Sequence, residues 1–227
     1  MRDMPLETRV YALLLVLSTV AAAAIAWRAE YQAFPTSSTD LVIIAGILAV
    51  MIVESEVFNV SFPQTSQEIQ ASGGAAFCFA AGLTIGSVLG GIVVAIAYIF
   101  YGVIARHEAI KTTANAASKG LSTIVGAALY FAVADPAQST IGSYQNLLAV
   151  ILAGALFALI NTGSLAIIVA PVVSDSPFGL FRTITVGLHV ELVALVALGG
   201  LIPVLVSENP LSIILLIVPM LFGPHAA

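Results

Sequence analysis

Lys119 carries the most consequential chemistry in this sequence, because its ammonium stands about two turns inside an otherwise apolar run, where a charge is costly. Asn115 lies four residues before it and Ser122 three after, so on a helix the three side chains share one face and form a polar stripe. Such a stripe suits contact with a ligand or ion, with Lys119 as counter-ion to an anionic group or to Glu54, Glu56 or Glu191. It equally suits a lysine whose stem runs out to the lipid headgroups while Asn115 and Ser122 bond neighbouring helices.

The carboxylates offer less. Glu54 and Glu56 close an apolar run, at the helix end where the backbone dipole disfavours negative charge, which points either to a cationic partner or to hydrated interfacial groups. His189 and Glu191 are two apart and so diverge by about 200° on a helix, which rules out one direct site. Glu191 is the better buried partner for Lys119. Asn161 and Thr162, near the middle of another run, read as ligand contacts or as hydrogen bonds between helices. His107, His189 and His225 fall in separate segments and the single cysteine, Cys78, lies in an apolar stretch. No metal ligands stand at the spacing a bound ion needs. With no phosphate loop, no nucleophile elbow and no paired serine and histidine, the expectation is a protein with no catalytic residues and no nameable cofactor.

The elements that position these residues are set by lipid. A helix rises about 1.5 Å per residue, and a hydrocarbon core about 30 Å thick needs about 20 apolar residues to cross it. Runs of that kind are expected at 10–27, 41–58, 88–105, 112–133, 147–170 and 184–206, with shorter ones at 73–86 and 211–222. The stretch 73–105 is split near Gly86, Ser87 and Val88, giving eight spans; leaving it as one tilted helix gives seven. Gly82, Gly86 and Gly90 recur every fourth residue, which permits close helix approach if the segment is continuous and supplies the turn if it is not. Pro136 and Pro171 are expected to stop helices, and Pro203 to kink one. Trp27, Tyr31, Tyr98, Tyr101 and Tyr144 mostly flank the runs, as interfacial anchors do.

Composition agrees. Of 227 residues, 60% are hydrophobic and 8% charged, against about a quarter charged in soluble domains. Mean hydropathy is +1.09. The expected class is therefore an all-α, polytopic integral membrane bundle forming a single transmembrane domain over residues 1–227, without a soluble domain. The N-terminal segment imitates a secretory signal, but a retained anchor is expected. The net charge of −5 is thinly spread, and no clustered basic face suggests nucleic acid. Eight spans would put Arg2, Arg9, Arg106, Lys111 and Arg182 on the side of both termini and Arg28 alone opposite. That asymmetry places both termini in the cytoplasm, in the inner membrane of a cell.

A family resemblance can be drawn from several segments. Met4, Pro5, Leu6 and Arg9 precede the first run, and Ile52, Val53, Glu54 close the second. Ala71 to Phe77, the short run around Gly86, Ala114 to Ala117 with Tyr130, Asn161, and Asn209 to Leu211 with Val218 and Pro219 continue the pattern. Taken together they resemble the multi-span input region ahead of bacterial diguanylate cyclase and HD-GYP phosphodiesterase domains, here without the enzyme. The resemblance implies a sensory region with a cytoplasmic output end; it implies no ligand. The expected function is a non-catalytic sensory or ligand-binding module that signals through a partner. An accessory or structural subunit of a larger membrane complex, and a small-solute transporter or substrate-capture component, stand beside it. Expected partners are the bilayer and other membrane subunits.

Overall fold

A computed structural model describes residues 5–30, 38–57, 74–209 and 212; side chains at 29–30, 38–39, 186–192 and 194–195 fall outside this description. The described residues form seven helices in the order α1 (Leu6–Glu30), α2 (Ser38–Val57), α3 (Gly74–Ile85), α4 (Ser87–Ile104), α5 (Ala109–Val133), α6 (Tyr144–Val173) and α7 (Pro177–Glu208). Among them the chain is all-helical. Four segments are long and apolar enough to cross a membrane: Leu6–Arg28, Ser87–Ile104, Ala109–Val133 and Tyr144–Val173. Gly74–Ile85 and Val196–Glu208 are shorter apolar helices.

Eight full crossings are not what these helices provide. The 12 residues of α3 extend about 18 Å, little more than half a hydrocarbon core. Of the expected run at 211–222, all but residue 212 lies outside the described residues. Instead of crossing alone, α3 is a central strut: eleven of its twelve residues are buried, and it packs against α2, α4, α5 and α7.

Gly86 separates α3 from α4 with φ 97° and ψ 157°, a conformation open essentially to glycine alone. The two helices then run back along each other. A Cβ on Gly90 would meet the backbone of Ala81 and Gly82 at 2.7 Å, so the hairpin closes by backbone contact that any larger residue would obstruct. The segment is broken, so the turn is the use the glycines serve at Gly86, and Gly82 and Gly90 also sit where helices approach closely.

Outward and inward faces are reversed relative to a soluble bundle. On α4 the large residues Ile92, Ile96, Ile99, Phe100 and Val103 are exposed, whereas Gly90, Gly91, Val94 and Ala97 are buried. This pattern suits helices whose large apolar side chains face lipid while small residues let helices approach. The same logic makes α5 the hub: Ala114, Ala116, Ala117, Gly120, Gly126 and Ala127 are buried on it, and it touches α1, α3, α4 and α6. Thr19 of α1 donates to the Ala117 carbonyl at 3.0 Å, tying the peripheral helix to the hub.

Pro171 does not end α6, which continues to Val173. The stop comes instead at Ser174, in the left-handed region at φ 57°, where the backbone N–H returns to Ala170. So near the helix end, the missing proline N–H removes one bond without disturbing a long downstream ladder. Pro203 does lie inside α7. At the other end of the bundle, Asn146 is completely buried. Its amide accepts from Asp135 N–H at 2.7 Å and donates to the carbonyls of Asp135 and Ser139 at 3.1 and 2.9 Å, fastening the α5–α6 loop.

Candidate functional site

Five helices contribute to one cavity of about 460 Å³. Thr8 comes from the start of α1, Glu56 from the end of α2, and Tyr98 and Tyr101 from the end of α4. His107 comes from the α4–α5 connection, Asn115, Ser118 and Lys119 from α5, and Asn161 with Leu165, Ile168, Val169 and Val172 from the second half of α6. The shared lining fixes the chain directions: α1 and α5 begin, and α2, α4 and α6 end, at the same end of the bundle. Lys119 is ten residues past Ala109 on α5, about 15 Å down from that end. Polar groups therefore reach roughly halfway into the span.

The floor explains which part of the expected stripe faces the cavity. Below Lys119, α3 crosses α5: a Cβ on Gly82 would meet the Ala127 Cβ at 2.8 Å, and the Thr123 hydroxyl reaches the Cys78 carbonyl at 3.4 Å. Ser122 is at that level, completely buried, with its hydroxyl donating to the Ser118 carbonyl at 2.7 Å. Of the stripe, Asn115 and Lys119 line the cavity and Ser122 does not, while Ser118 joins them.

Glu56 accepts a hydrogen bond from the Tyr98 hydroxyl at 2.5 Å, and the Lys119 ammonium lies 5.7 Å from the centre of the same tyrosine ring. Tyr98 therefore stands between the two charges that the sequence suggested as partners. At 3% exposure it is a wall residue of the interior and no interfacial anchor. Among the described residues no carboxylate forms an ion pair with Lys119. Glu54, two residues from Glu56 and so on a different side of α2, is absent from the lining. Asn161 joins the lining; Glu191 is in α7, but its side chain lies outside the described residues, as does that of His189.

Three polar atoms in this wall are buried without a hydrogen-bond partner: Thr8 Oγ1, Ser118 Oγ and His107 Nδ1. Thr8 is 1% exposed and Ser118 6%. Unsatisfied buried polar atoms are rare in folded proteins, because each costs about 1–3 kcal/mol. All three belong to residues that line this one cavity. His107, between α4 and α5, packs edge-on against Tyr101 with ring centres 5.3 Å apart. Burial, helped by Lys111, holds its pKa below the ordinary 6.5, with Glu56 pulling weakly the other way. The imidazole is therefore neutral near pH 7.

Sequence reasoning did not select Thr8, Tyr98, His107 or Ser118 for a site. Ser118 could have been found, since it is three residues after Asn115 and shares its face. Thr8 and His107 carried no signal beyond being polar at the margins of apolar runs. Among the described residues no group of three or more His, Cys, Asp or Glu is placed to hold a metal. The arrangement offers hydrogen-bond donors, two lysines and an apolar wall, which suits binding. Compared with protein-family models, curated proteins and solved structures, the chain matches none.

Proposed function

We propose that this protein is a non-catalytic multi-pass membrane protein that binds a small ligand between its helices and passes the bound state to a partner. The observation carrying this reading is the clustering of Thr8 Oγ1, Ser118 Oγ and His107 Nδ1, all unpartnered, around a cavity of about 460 Å³. That volume lies in the usual range for small-ligand sites. A ligand satisfying these atoms bridges α1, α2, α4, α5 and α6 at one end of the bundle, so occupancy changes how their ends are held together. A partner docked on that end reads the change. This is the behaviour that the resemblance to input regions of signalling enzymes implies.

In this reading α1, α2, α4, α5, α6 and α7 cross the bilayer, and α3 is the inner arm of a hairpin. Arg9, Arg106, Lys111 and Arg182 then gather at the cavity end and Arg28 opposite. An excess of lysine and arginine marks the cytoplasmic side, which supports a cytoplasmic cavity mouth and N-terminus in the inner membrane. A small-solute transporter would use short, glycine-broken helices such as α3 and α4 to line its site; α4 supplies Tyr98 and Tyr101 to the wall, and α3 supplies none among the described residues. The accessory-subunit reading has the exposed apolar length of α1 in its favour, which fits lipid equally well.

The test is native mass spectrometry of the protein extracted with its own lipids. Wild type should carry a small-molecule adduct that Asn115→Trp, with the cavity filled, lacks at unchanged helicity. A wild type with no adduct, whose unfolding temperature is also unmoved by extracts of the source membrane, contradicts the proposal.

A further inference from the structure

The charges and the shape of the cavity narrow its ligand, granted that the cavity binds one. Among the described residues two ammonium groups, Lys111 and Lys119, stand in the lining against one carboxylate, Glu56, and that carboxylate accepts the Tyr98 hydroxyl. His107 adds no negative charge. The deep end is rich in donors: the Lys119 ammonium, the Asn115 and Asn161 amides, and the unpartnered Ser118 hydroxyl. A cationic ligand would meet Lys119 with no counter-charge gained. A neutral apolar ligand would leave the donors unsatisfied. An anion answers both, since a carboxylate accepts several bonds and pairs with the Lys119 ammonium.

The remaining wall is apolar and one-sided. Leu165, Ile168, Val169 and Val172 follow Asn161 along α6 toward the cavity mouth, and Leu165 and Val172 are 40% and 55% exposed on the outside of the bundle. A ligand whose head reaches Lys119 therefore lays the rest of its length against hydrocarbon side chains that border lipid. We infer that the cavity takes an anionic amphiphile, a carboxylate head held by Lys119, Asn115 and Ser118 with a short apolar chain along Leu165, Ile168 and Val169.

The experiment measures saturable binding to the full chain in lipid nanodiscs, corrected by empty discs, for octanoate, octylamine, 1-octanol and acetate. Octanoate should bind with one site per chain, and each of the other three at least about tenfold more weakly, the scale of one charge-assisted bond or of a few buried methylenes. Lys119→Met should weaken octanoate about tenfold while leaving 1-octanol unchanged, and Lys119→Arg should retain most of the affinity. Should Lys119→Met fail to fold, Asn115→Leu gives the same selective loss. Octylamine or 1-octanol binding as tightly as octanoate, in a manner that Asn115→Trp abolishes, overturns the anionic head and leaves ligand binding standing. Acetate matching octanoate overturns the apolar chain. If no probe binds in a way that Asn115→Trp removes, this inference fails, and the adduct experiment decides separately whether the cavity binds anything.

Discussion

His107 shows how a single residue at the cavity mouth ties stability to pH. Its pKa is lowered from 6.5 by burial, then by Lys111, with Glu56 opposing, so the folded protein takes up this proton less readily than the unfolded chain does. The stabilisation is complete above the unfolded value and disappears as pH falls from there through the lower folded value. The unfolding temperature should accordingly drop as pH falls below the ordinary histidine value of 6.5, and drop less in His107→Gln; equal falls in both proteins would remove His107 from the account. The charged or titratable side chains that share the cavity lining with it are Lys111, Lys119, Glu56, Tyr98 and Tyr101, and Arg106 and Glu108 flank it in the chain. Of these, sequence alone singled out Lys119 and Glu56, because charge in an apolar run is visible without a structure. It had no means of separating Glu56 from Glu54, or Ser118 from Ser122. Helical spacing gives faces, but where α3 crosses α5 decides which level of a face stays open.

The α3–α4 hairpin concentrates the most specific sequence requirements of any element. Gly86 holds φ 97° and Gly90 meets the α3 backbone, whereas Gly46 on α2 has open space around its Cα. Gly90→Ala should therefore destabilise the fold by about 1–3 kcal/mol through forced separation of two backbones. Gly46→Ala should be neutral or stabilise by up to about 1 kcal/mol through helix propensity. Chemical unfolding of both variants in detergent checks the contrast, and a Gly90→Ala protein as stable as wild type would mean the hairpin is looser than described. The glycine spacing announced this feature in advance. What spacing does not reveal is depth. A 12-residue apolar helix reads the same whether it crosses alone or stands inside a ring of others, and only the burial of α3 on every side shows the latter. Proline misleads for a related reason: the sequence predicts a stop at Pro171, yet the backbone turn at Ser174 is what ends α6.

For the molecule as a whole, composition points to lipid as the solvent, and apolar runs located the seven described helices. The number of crossings did not follow, because length along the chain is not length across the bilayer. The cavity itself was invisible in sequence. It arises where five helix ends from distant parts of the chain converge, and its volume depends on packing that no local pattern encodes. The account stands on that cavity being open, polar and reached from the end where α1 begins. The most direct test places one thiol in it: Asn115→Cys in a Cys78→Ala background, with a small membrane-impermeant thiol reagent applied to each side of oriented vesicles. The account predicts modification from the cytoplasmic side only, slowed by octanoate. A thiol that reacts from neither side, or only from the opposite one, would contradict it.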